Sequence, residues 1–66
     1  MKIQINGKEE LIENITNLTE LINSKNLKPE NIVVEHNTKI VSKEEFENVI
    51  ITEEDKIEII SFVGGG

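Results

Sequence analysis

The stretch best suited to chemistry is Gly64-Gly65-Gly66, set directly behind an alternating apolar run, Lys56-Ile57-Glu58-Ile59-Ile60-Ser61-Phe62-Val63. Glycine has no Cβ, so such a tail is thin, pliable and costly to order. Three extended glycines reach roughly 10 Å. That length carries the carboxylate of Gly66 clear of a domain and into a narrow cleft on another protein. On this reading the Gly66 carboxylate is the reactive group. On three glycines alone a frayed terminus or the start of a linker is the better reading; the rest of the chain shifts the balance.

Few other residues compete for a chemical role. The chain has no Cys and a single histidine, His36, which cannot build a zinc site. No nucleophile–base pair, phosphate-binding glycine loop or metal cluster is present in the pattern. His36 reads as structural or solvent-exposed. The acidic runs Glu44-Glu45 and Glu53-Glu54-Asp55 read as solvated turn charge.

A chain of 66 residues makes one small domain. At this size only about 60% of the unfolded surface is buried, and without disulfides or a metal the fold rests on Ile, Val and Leu packing. Thirteen acidic residues against seven basic give a net charge of −6. That sign opposes phosphate binding, and with two Phe and no Trp or Tyr there is little surface on which bases could stack. Nucleic acid is therefore not an expected partner. An acidic chain is steered instead towards basic protein surfaces, although the same charge also serves plain solubility. No signal peptide or membrane span is recognisable, and a cytoplasmic location is expected.

The elements that must position the tail follow from local patterns. Met1, Ile3 and Ile5 alternate with Lys2 and Gln4, and Asn6-Gly7 suits a two-residue type I′ turn into Lys8–Glu13. That turn pairs Ile5 with Lys8 and Met1 with Ile12. Ile12 then joins the buried face, and Leu11 falls on the other. Asn17 is a helix N-cap with Glu20 completing a capping box, Leu18, Leu21 and Ile22 recur at helical spacing, and Asn26 suits the left-handed closing position after Lys25. Lys28-Pro29-Glu30-Asn31 is a loop. Ile32–His36 is a strand, Asn37-Thr38 a tight turn and Lys39-Ile40-Val41 a return strand. Ser42 with Glu45 forms a second capping box over one helical turn, Lys43–Phe46, with Phe46 in the core. Thr52–Asp55 is a polar turn before the last strand.

This order, β-β-α-β-β-(short helical turn)-β, predicts an α+β fold: one sheet of about five strands with one helix on one face. Residues 1–62 form the domain and 63–66 a flexible Val-Gly-Gly-Gly tail. The last strand places Ile57 and Ile59 on the core face. Ile60 and Phe62 then face water, where polar residues are the norm. With Val33 and the adjoining Val63, they are the expected docking patch for a partner, holding the tail in register with its active site.

Several segments together resemble the ThiS-type sulfur carriers of thiamine biosynthesis, small ubiquitin-like β-grasp proteins. They are Met1-Lys2-Ile3 before Asn6-Gly7, the capped helix from Asn17, Val34-Glu35-His36-Asn37 before Ile40-Val41, Asp55-Lys56-Ile57-Glu58-Ile59, and above all Phe62-Val63-Gly64-Gly65-Gly66. The similarity covers essentially the whole chain. Members often carry Gly where this chain has Ile15, Thr38 and Glu54, and Pro, Arg and Trp where it has Ser42, Lys43 and Phe46. The resemblance implies that the carrier is a substrate of enzymes and not a catalyst, that it binds no cofactor itself, and that Gly65 and Gly64 thread past the walls of its partners. A ThiF-like adenylating enzyme would use ATP to activate the Gly66 carboxylate. A sulfur donor of cysteine desulfurase or rhodanese type would convert it to a thiocarboxylate, and a ThiG-like thiazole synthase would take the sulfur. Two related readings share the tail: a molybdopterin-synthase-type carrier, and a modifier joined through Gly66 to lysines of other proteins. A passive interaction domain with an incidental glycine tail is a third.

Overall fold

The computed structural model describes residues 1–62. Strand β1 (Lys2–Ile5) turns through Asn6 and Gly7 into β2 (Lys8–Leu11). Asn6 and Gly7 have φ of 52° and 82°, the positive pair that a type I′ turn demands. The register is the expected one, Ile5 opposite Lys8 and Lys2 opposite Leu11. The ladder proper stops at Leu11, short of the expected Glu13, but the Ile12 N–H still donates to the Met1 carbonyl at 2.8 Å. Ile3, Ile5 and Ile12 are buried, and Leu11 is exposed.

Helix α1 (Leu18–Ser24) is capped as its sequence requires: the Glu20 N–H donates to Asn17 Oδ1 at 2.9 Å. The reciprocal arm differs from expectation. The Glu20 carboxylate takes the N–H of Thr16, one residue further out than a standard capping box. The Leu18 N–H is committed to Val49 and the Asn17 side-chain amide to the Glu47 carbonyl, so this helix end is sewn to a distant segment. The other end closes by a Schellman motif. Asn26 is left-handed (φ 59°), its N–H reaches Asn23, and the Leu27 N–H reaches Ile22. Lys25 is the C-cap, where a helical residue was expected.

The expected loop after Lys28 contains a 3-10 turn at Pro29–Asn31, with proline at the position where a missing N–H costs nothing. Strands β3 (Ile32–His36) and β4 (Lys39–Val41) follow, joined by Asn37 and Thr38, both at positive φ. The single turn expected over Lys43–Phe46 is a longer 3-10 segment, Lys43–Asn48. The Ser42/Glu45 capping box does not form: Ser42 accepts the Glu45 N–H through its backbone carbonyl, and its hydroxyl caps nothing. The tighter i→i+3 bonding of a 3-10 start uses that carbonyl. Phe46 does enter the core.

Strand β5 (Lys56–Ser61) lies in the middle of a five-stranded sheet ordered β2-β1-β5-β3-β4. It runs parallel to β1 and antiparallel to β3. One face carries Ile3, Ile5, Val34, Ile57 and Ile59 against Leu18, Leu21, Ile22, Phe46 and Ile51, and Ile12 and Ile32 complete the core.

One acidic residue is not surface charge. Asp55, expected in a solvated run, is buried. Its carboxylate accepts the Thr52 N–H at 2.9 Å, the Thr52 hydroxyl at 3.0 Å and the Asn37 amide at 3.1 Å, and meets His36 Nε2 at 2.8 Å. Burial alone would raise this carboxyl; the hydrogen bonds from the Thr52 N–H, His36, Asn37 and the Thr52 hydroxyl outweigh it and hold the pKa at about 2. His36 is thus structural, tying the β3–β4 turn to the entrance of β5.

Candidate functional site: the outer sheet face beside the tail

β5 delivers the chain to the tail. Its last backbone rung is the Phe62 N–H on the Asn31 carbonyl, at 3.0 Å. Side chains alternate across the strand, so burying Ile57 and Ile59 sends Ile60 outward, and Phe62 continues the exposed set. Ile60 is 56% and Phe62 48% exposed. Ile60 lies directly opposite Val33 of β3, also exposed, so the three residues share one face.

The structure adds Ile40, 73% exposed on β4 and opposite Glu35. Strand partners share a face, and Glu35 is two residues from Val33, so Ile40 borders the same patch. The signal was present in Lys39-Ile40-Val41: with Val41 turned inward opposite Val34, Ile40 must point out. Leu11 is more exposed still, but it sits at the far edge on β2. Between it and the patch, the outward residues are polar, among them Lys2, Gln4, Lys56 and Glu58. Lys2 lies 3.5 Å from Glu54 and 3.6 Å from Glu9, and these two carboxylates, Glu54 foremost, raise its pKa. The face is therefore apolar near the tail and charged in the middle.

Val63, Gly64, Gly65 and Gly66 lie outside the described residues. Among the described residues, no group of three or more His, Cys, Asp or Glu side chains is gathered to hold a metal ion, and no helix is long and apolar enough to cross a membrane.

A mixed five-stranded sheet in this order, with its first and last strands parallel at the centre and one main helix on one face, defines a ubiquitin-like β-grasp protein. The ThiS family model matches residues 2–66, and the chain belongs to that family. It is 37% identical over 65 residues to the sulfur carrier protein ThiS of Bacillus subtilis, covering 97% of this chain and 98% of that one. It is 38% identical over 66 residues to a thiazole synthase of Magnetococcus marinus, all of this chain matching only 20% of that protein's length. The crystal structure of the thiamine biosynthesis protein ThiS from Geobacter metallireducens superposes with a TM-score of 0.84 at 29% identity, covering both chains completely.

Proposed function

We propose that the chain is the sulfur carrier of a cytoplasmic thiazole-forming pathway in thiamine biosynthesis and that Gly66 is the group it carries sulfur on. A free carboxylate is a poor acyl donor. ATP, used by a ThiF-like partner, joins AMP to the Gly66 carboxylate and releases pyrophosphate. The terminal sulfur of a persulfide on a cysteine desulfurase or rhodanese-type donor then displaces AMP, which leaves with one carboxylate oxygen. A thiol reductant cleaves the resulting acyl disulfide to release the thiocarboxylate and the donor's thiol. The resulting thiocarboxylate hands its sulfur to a ThiG-like thiazole synthase. Gly65 and Gly64 pass through the narrow approach without side-chain clashes. Ile60, Phe62, Val63, Val33 and Ile40 dock the domain so that the end enters in register.

The observation that carries this reading is membership of the ThiS family over residues 2–66, glycine tail included. The exposed Ile60–Val33 pair supports it, since antiparallel sheets ordinarily place polar side chains on the watered face. The test is an intact mass after incubation with ATP, the adenylating partner, the sulfur donor and a thiol reductant. One sulfur gained for one oxygen lost, located at Gly66, is expected. An unchanged mass with a demonstrably active partner overturns the reading.

A further inference from the structure

β5 is longer than its neighbour β1, and the excess leaves a strand edge open. The Phe62 N–H bonds to Asn31, so residues 58, 60 and 62 turn their backbone groups towards β3. Residues 57, 59 and 61 turn theirs the other way, towards β1. The Ile57 carbonyl takes the Asn6 N–H at 2.9 Å. Beyond that point β1 has ended, and the Ile59 N–H is met at 2.7 Å by the Asn6 side chain, which stands in for the next backbone carbonyl. Nothing among the described residues takes up the Ile59 carbonyl or the Ser61 N–H.

This edge opens onto a groove of about 330 Å³ floored by Ile5, Leu27 and Ile59. A second groove of about 320 Å³ continues from Leu27 and Ser61 to Ile32 and Phe62. Lys8, Lys25 and Lys28 stand along the two, three of the chain's seven basic residues, against one acidic residue, Glu10, which is paired with Lys25 at 3.0 Å. In a chain of net charge −6 this is a locally basic strip, and its end coincides with Phe62 of the docking patch.

We propose that the open edge of β5 receives an extended, acidic segment of the thiazole synthase by strand addition, Ser61 donating and Ile59 accepting its backbone hydrogen bonds. The inference rests on the thiazole synthase being a partner, and it adds the surface and the chemistry of the contact. Unpaired backbone groups supply the affinity, the apolar floor takes alternate side chains, and the lysines select acidic ones. An edge contact just before the tail also fixes the direction in which β5 enters the partner.

Ser61→Pro isolates the donor, because the Ser61 N–H points away from β3 and the existing ladder does not use it. The full chain is titrated with the full-length cognate thiazole synthase by calorimetry, and amide exchange is followed by NMR. Expected are protection of the Ser61 amide in the complex, binding about tenfold weaker or worse for Ser61→Pro, and unchanged binding for Ser61→Ala. The double variant Lys8→Glu/Lys28→Glu associates more slowly at low salt. If proline disturbs the fold, a semisynthetic chain N-methylated at Ser61 removes the same hydrogen alone. Unprotected Ser61 in the complex, or wild-type binding by either blocked chain, overturns the proposal. Protection by the adenylating enzyme but not by the synthase overturns it as well. No complex at all with the wild-type chain removes the partnership together with the inference, whereas a complex indifferent to Ser61 sinks the inference only.

Discussion

His36 Nε2 lies 2.8 Å from Asp55 Oδ2, joining the last residue of β3 to the residue before β5. The pair is reinforced by Asn37, whose side-chain carbonyl accepts the Lys56 N–H at 2.9 Å while its own N–H donates to the Lys56 carbonyl at 2.8 Å. This corner sets where β5 begins, and hence where its outward residues lie.

Acid should loosen that corner. The Asp55 pKa is depressed to about 2 in the folded chain, below its ordinary value of 3.8. Its ionised form therefore contributes stability that is fully present above about pH 4 and lost as pH falls through about 2. The contribution is on the order of 1–2 kcal/mol. Asp55→Ala should cost about 2–3 kcal/mol at neutral pH, because it leaves Thr52 and Asn37 donors without an acceptor. Urea melts of wild type and variant should show a smaller gap at pH 2.5 than at pH 7; a constant gap would refute the assignment.

Thr38 and Glu54 hold φ of 78° and 71°, where a β-carbon is strained. Thr38→Gly should raise stability by about 0.5–1 kcal/mol, the relief exceeding glycine's entropic cost. Glu54→Gly should gain less, since it also removes the exposed contact to Lys2. Ile15→Gly should lose stability. Ile15 is absent from the positive-φ set and packs against the core. Denaturation midpoints of the three variants decide the matter, and a Thr38→Gly chain weaker than wild type would contradict it.

The two phenylalanines should part company. Phe46 is 3% exposed, and Phe46→Ala should cost about 3–5 kcal/mol, most of the stability of a domain this small. Phe62→Asp should leave the melting curve within about 1 kcal/mol of wild type and abolish binding to the adenylating partner. Circular dichroism melts and pull-downs with that partner separate the two effects. Retained binding by Phe62→Asp would remove the docking patch.

Adding one residue after Gly66 should leave the fold untouched and prevent the gain of sulfur. Intact mass after the complete reaction is the measurement. Sulfur acquired by the uncleaved extended chain would refute the role of Gly66.

Local rules made much of this fold readable. Alternation found β1, β3 and β5, Asn6-Gly7 fixed the hairpin register, and Asn26 marked the helix end, because each signal acts within a few residues of itself. The outward turn of Ile60 and Phe62 followed from the same alternation. What stayed hidden depends on partners far along the chain. Asp55 looks like surface charge until His36 and Asn37 are brought to it, and Asn17 looks like a simple cap until Glu47 and Val49 arrive. Ser42 had the sequence of a capping box, but the 3-10 geometry that overrode it is decided by how Phe46 reaches the core. The open edge at Ser61 is a difference between the lengths of two strands, which neither strand's own sequence announces.

The central position of β5, between β1 and β3, bears on how the protein is made. Until Lys56–Ser61 has left the ribosome, the rest of the sheet consists of two separate hairpins with nothing between them. A nascent chain cut short before this strand therefore displays its isoleucines to chaperones and proteases instead of closing over them. Only a polypeptide that includes Lys56–Ser61 can close the five-stranded sheet.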